Sequence, residues 1–169
     1  MLRTLEKTEQ SKWRYMFKAF LWIVPITLPL AAIAIAALIY FDPTFLSSEP
    51  EQTLSLSALL VDFLGAITLG PLGETLLMIV IFKGLRYISN RPLFLTLGSA
   101  SIWACLHSLA VPLWGFVVFW SFFVMSYAYL QYEQKEGLKS AFWVTAGIHF
   151  LNNLFAAGIV LLLSLPGLS

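Results

Sequence analysis

Three ionisable residues stand inside long apolar stretches of this chain, and they are Glu74, His107 and His149. An ionisable side chain at bilayer depth costs about 3 kcal/mol, and such residues usually mark functional sites with partners. Asn153 follows His149 by four residues, so the two share one side of a helix. We therefore predict that Glu74, His107, His149 and Asn153 form one polar cluster within a membrane.

The cluster has the residue types of a hydrolase. One carboxylate and two imidazoles can bind a divalent metal such as zinc, so Glu74, His107 and His149 are candidate metal ligands. Without a metal, a glutamate can act as the general base for a water molecule, while histidine and asparagine stabilise an oxyanion. Both routes lead to hydrolysis of an amide bond.

Each residue of the cluster also has a structural interpretation. A single histidine or asparagine within a membrane span can form a hydrogen bond between two helices. Asp62 lies near the outer end of the same apolar stretch as Glu74. A solvated or helix-bonding role is the favoured interpretation of Asp62.

Composition predicts an all-α polytopic membrane protein. The 169 residues are 59% hydrophobic and 11% charged, and the mean hydropathy is +0.83. The net charge of +1 gives no basis for nucleic-acid binding. We predict a charged leader over residues 1–16 and a single transmembrane helical domain over residues 17–169. The first apolar stretch is too long for a cleavable signal peptide.

The apolar stretches predict a bundle of about five spans, since one span needs about 20 apolar residues. Gly70 and Pro71 interrupt the second stretch and predict a kinked or broken helix there. At 1.5 Å per residue, Glu74, His149 and His107 would lie roughly 12, 16 and 21 Å from the cytoplasmic helix ends, so they can share a layer. The predicted spans cover residues 17–41, 54–82, 93–111, 113–132 and 138–165.

The loops predict the orientation of the bundle. Lysine and arginine occur before the first span and in every second loop, whereas the intervening loops have none. The positive-inside rule then places the N-terminus in the cytoplasm and, with five spans, the C-terminus outside. The small size and minimal core favour a bacterial inner (plasma) membrane.

Three short motifs in this order resemble those of the CPBP intramembrane proteases, which include CAAX prenyl proteases and bacteriocin-processing enzymes. The motifs are Glu74-Thr75, Trp103-x-x-x-His107 and His149-x-x-x-Asn153, and the similar core covers residues 58–155. The resemblance implies hydrolysis of a membrane-associated peptide or protein. It implies that Glu74 activates water, that the histidines assist or bind metal, and that His149 and Asn153 stabilise the oxyanion.

The first motif departs from that family, whose pattern is Glu-Glu-x-x-x-Arg. Thr75 replaces the second glutamate, and no arginine stands at position 78 or 79. Two alternatives to a membrane protease therefore stay open. One is a non-catalytic membrane scaffold that kept the fold, and the other is a small proton-coupled transporter, since glutamate and histidine also build proton relays.

Overall fold

The computed structural model describes residues 11–44 and 55–163, and all regular secondary structure within them is helical. This confirms the predicted all-α helix bundle. A π-helical turn, Gly65–Leu69, joins the second and third helices without a break. The six α-helices of the described residues are α1 Lys12–Phe41, α2 Leu56–Leu64, α3 Gly70–Arg86, α4 Pro92–Ala110, α5 Trp114–Glu136 and α6 Leu138–Leu163.

Helix α1 begins earlier than the sequence predicts. It starts at Lys12, so the last residues of the predicted charged leader are helical. Residues 1–10, which carry the rest of that leader, lie outside the described residues. Tyr15 and Met16 are buried in the bundle. The buried face of α1 therefore begins among the charged residues of the predicted leader, before the first apolar span.

The irregularity predicted at Gly70-Pro71 takes a different form from a break. The chain stays helical from Leu56 to Arg86, and the helix widens into the π turn just before Gly70. Pro71 follows this turn inside the continuous helix, where its missing N–H leaves one helical carbonyl without a backbone donor.

Four helical stretches in the described part of the chain are long and apolar enough to cross a membrane: Lys12–Phe41, Leu56–Arg86, Pro92–Ala110 and Leu138–Leu162. Their outer faces expose large apolar side chains, such as Val61, Leu69 and Leu109. Soluble monomers rarely expose apolar surface on this scale, so these faces fit a lipid environment.

Helix α5 matches the fourth predicted span, although its composition leaves it outside that set of four. It is 23 residues long and packs against α1, α4 and α6, so that neighbouring helices shield it from the surroundings. Two of its side chains illustrate this packing. Ser126 Oγ donates a hydrogen bond to Ser99 Oγ of α4 at 3.0 Å, and the Tyr129 ring stacks on Phe82 of α3.

Ion pairs gather several helix ends at one side of the bundle. Lys12 at the start of α1 contacts Glu136 at the end of α5 at 2.7 Å, and Ser140 of α6 donates to the same carboxylate. The hydrogen bond from Lys12 has the larger effect and that from Ser140 the smaller, and together they lower the pKa of Glu136 below its ordinary value. Arg86 at the end of α3 pairs with Glu133 of α5.

Helices α4 and α5 approach each other closely at Gly115. A Cβ atom on Gly115 would lie 2.3 Å from the Ala104 carbonyl oxygen and from Ser108 Oγ. The Gly115 N–H donates to Ser108 Oγ at 3.0 Å. This approach fixes the segment of α4 that carries His107 against α5.

Candidate functional site

The residues that could do chemistry line one cavity inside the bundle. Its volume is about 300 Å³, and Glu74, His107, His149 and Asn153 all contribute to its wall. The lining comes from α1, α3, α4, α5 and α6, so the cavity exists only once the helices have packed. Its other polar lining residues are Thr27, Ser121 and Asn152.

Glu74 and His149 form the closest ionisable pair in this cavity. His149 Nε2 lies 3.7 Å from Glu74 Oε2, which is too long for a direct hydrogen bond. The His149 side chain is only 6% exposed, whereas that of Glu74 is 30% exposed. Among the described residues, Glu74 Oε2 is itself buried and has no hydrogen-bond partner. A buried carboxylate oxygen without a partner is costly, so a site for a water or a substrate group fits there.

His107 is oriented by its own helix. Its Nδ1 lies 2.9 Å from the carbonyl oxygen of Trp103, one turn earlier in α4. Because a carbonyl oxygen can only accept, Nδ1 carries the proton in this hydrogen bond. In a neutral imidazole, Nε2 is then an unprotonated acceptor, the form that suits a base or a ligand. The Trp-x-x-x-His spacing thus orients His107 through the tryptophan backbone.

An aromatic ring that the sequence did not single out contacts both histidines. The Phe122 centroid lies 5.3 Å from that of His107 and 5.6 Å from that of His149. Trp103 stacks nearly parallel to the Phe122 ring at 4.6 Å, and its own centroid lies 5.8 Å from that of His107. Helix α5 contains aromatic residues on every face, so no sequence signal distinguishes Phe122 from its neighbours.

Asn153 has a backbone partner. Its Nδ2 donates to the carbonyl oxygen of Ala66, in the π turn, at 2.8 Å. The amide nitrogen that the resemblance assigns to an oxyanion therefore holds two helices together here. The catalytic role of Asn153 stays a prediction.

Thr75, which stands where the motif has its second glutamate, and Arg86, at the end of the same helix, have different settings. Thr75 is buried, and its hydroxyl donates to the Pro71 carbonyl oxygen at 2.6 Å. Arg86 pairs with Glu133 at the end of the bundle. Asp62 is exposed on α2 and is not part of the cavity lining.

The donor set does not form a ready metal site. Over residues 11–44 and 55–163, no three His, Cys, Asp or Glu side chains lie close enough together to bind one metal ion. Zinc or another divalent metal at Glu74, His107 and His149 therefore stays a prediction. The chemistry proposed for this site uses the protein's own side chains.

Comparison of the chain with models of protein families, with curated proteins and with solved structures gives no match. The resemblance to CPBP proteases therefore stays a prediction that rests on three short motifs.

Proposed function

We propose that this chain is an intramembrane endopeptidase that hydrolyses a peptide bond of a membrane-associated peptide or protein. The observation that carries the proposal is the meeting of Glu74, His107 and His149 at one cavity, with a buried Glu74 oxygen that lacks a partner in the described chain. The 300 Å³ cavity has room for several water molecules beside these groups.

The gap between Glu74 and His149 suits a bound water. An oxygen about 2.8 Å from both Glu74 Oε2 and His149 Nε2 fits beside the 3.7 Å line that joins them. Glu74 would accept a proton from this water as its oxygen attacks the carbonyl carbon of the substrate. A hydrogen bond donated by the imidazole of His149 would stabilise the oxyanion. When the C–N bond breaks, the proton on Glu74 passes to the leaving amine.

The orientation belongs to the same proposal. The bundle end at which Lys12 meets Glu136 and Arg86 meets Glu133 faces the cytoplasm, in the inner membrane of a bacterium. The substrate reaches the cavity from within the lipid layer, and no nucleic acid takes part.

Substitution of Glu74 and of His149, one at a time, tests the proposal. Glu74→Gln removes the base but keeps the shape, and His149→Ala removes the imidazole. We expect each to lower the cleavage rate by at least about 100-fold, the usual contribution of a general base or an oxyanion donor. The assay uses proteoliposomes and a panel of membrane-anchored, internally quenched peptides, with fragments identified by mass spectrometry.

Asp62→Asn is the matched control, because it removes an acidic group of the same continuous helix outside the cavity. It should cleave at the wild-type rate. The unfolding midpoint of each variant in mixed micelles shows whether the bundle is intact. Cleavage that survives Glu74→Gln in a folded protein contradicts the proposal.

A further inference from the structure

The hydrogen bond from Asn153 to Ala66 links α6 to the one π turn in the described residues. The bond joins residues 87 positions apart, and its length of 2.8 Å is that of a well-formed hydrogen bond. The acceptor is a backbone carbonyl, which a helix ordinarily satisfies by itself. The local sequence explains why this carbonyl lacks a donor from its own helix.

The backbone of its own helix offers the Ala66 carbonyl no donor in the α or the π pattern. In an α-helix, the Gly70 N–H would donate to the Ala66 carbonyl, but here it donates to Gly65, five residues back. In the π pattern, the next donor for Ala66 would be the N–H of residue 71. That residue is Pro71, which has no N–H.

We infer that Asn153 is a positioning residue: its amide replaces the donor that Pro71 lacks, and it thereby holds the π turn that presents Glu74 to His149. A π turn inserts one residue into a helix, and each residue rotates the helix by about 100°. The direction in which α3 presents Glu74 therefore depends on this turn. The consequence for catalysis rests on the proposed function, whereas the hydrogen-bond relation to Pro71 does not.

The inference predicts that Pro71→Ala makes Asn153 dispensable. An alanine at position 71 supplies an N–H for Ala66 in the π pattern, and the Gly70 N–H supplies it if the turn reverts to an α-helix. Asn153→Ala should lower the unfolding midpoint in mixed micelles in the wild-type background. It should cause no further lowering in the Pro71→Ala background.

Asn152→Ala is the matched control, since it removes the adjacent amide of the same helix. Its effect on the midpoint should be the same in both backgrounds. If Asn153→Ala lowers the midpoint equally in both backgrounds, the inference is wrong.

A second measurement needs only the native sequence. The chain contains three asparagines, Asn90, Asn152 and Asn153, so asparagine-selective ¹⁵N labelling gives three side-chain amide signals. We expect one amide to exchange its protons with solvent much more slowly than the others and to disappear in Asn153→Ala. Rapid exchange of the Asn153 amide in the folded protein would overturn the inference, whether or not Pro71→Ala folds.

Cleavage kinetics separate positioning from direct contact with the oxyanion. If Asn153 acts through the π turn, Asn153→Ala lowers kcat with KM unchanged, and the double variant with Pro71→Ala has the kcat of Pro71→Ala alone. If the amide touches the oxyanion, the double variant keeps the full loss and the inference fails. A wild-type protein that cleaves nothing refutes the proposed function instead, and the stability and exchange results still decide the role of Asn153.

Discussion

The two histidines of the cavity are held in different ways. The helix backbone at Trp103 fixes the ring of His107. His149 is almost fully buried and has Glu74 as its nearest ionisable neighbour. The Phe122 ring contacts both imidazoles. In the proposed reaction, His149 is therefore the partner of Glu74, and His107 is a second group on the cavity wall.

Thr75 shows that the departure from the first motif is built into the core. Thr75→Glu would recreate the acidic pair of the family motif, but position 75 is only 1% exposed. We expect the buried charge to lower the free energy of unfolding by on the order of 3 kcal/mol or more. Thr75→Val keeps the shape, loses the bond to Pro71 and should cost about 1 kcal/mol. Unfolding titrations in mixed micelles compare the two, and equal stability would show that position 75 tolerates a carboxylate.

At the scale of elements, the contact between α4 and α5 depends on the absence of a side chain at Gly115. Gly115→Ala would drive a methyl group into the Ala104 carbonyl, which belongs to a helix and cannot move aside. We expect a loss of about 1–3 kcal/mol in unfolding free energy, together with reduced cleavage because Ser108 adjoins His107. Gly158→Ala is the control, since nothing lies within 4 Å of a Cβ there, and its helix propensity should raise stability slightly.

Gly147 provides an intermediate case between these two glycines. A Cβ at Gly147 would lie 2.2 Å from Met16 Sδ, the flexible end of a side chain on α1. Methionine adapts readily to altered packing, so Gly147→Ala should cost less than Gly115→Ala. A larger loss at Gly147 would mean that α1 is held more rigidly than α4.

At the scale of the whole molecule, the ion pairs join helix ends that lie on one side of the bundle. The carboxylates at the end of α5 contact cations at the start of α1 and at the end of α3. These elements belong to different parts of the sequence, and the ion pairs show that their ends meet at one side of the bundle. Positive charge on one side is the feature that sets orientation during insertion.

Cysteine labelling tests this topology, including the crossing by α5. In a Cys105→Ser background, which removes the chain's single cysteine, we expect Asn90→Cys and Gln134→Cys to react with a membrane-impermeant maleimide from the cytoplasmic side only. Ser55→Cys and Pro112→Cys should react only from the opposite side. Labelling of positions 112 and 134 from the same side would show that α5 does not cross the membrane.

Sequence alone determined the class of the molecule and most of its helices. Long apolar stretches must satisfy their backbone groups internally, so they predict helices whatever their neighbours are. The proposed site residues were also visible in the sequence, since Glu74, His107 and His149 are ionisable where apolar residues prevail. A helix end such as the start of α1 was less predictable, because side-chain packing on α5 and α6 extends it.

Only the tertiary structure decided how these residues meet. Three features depend on contacts between helices far apart in sequence: the form of the irregularity at Pro71, the hydrogen bond from Asn153 to Ala66, and the contacts of Phe122 with two imidazoles. Periodicity and composition report the preferences of one segment at a time. Distances within a cavity arise from the mutual packing of several helices, so no single segment encodes them.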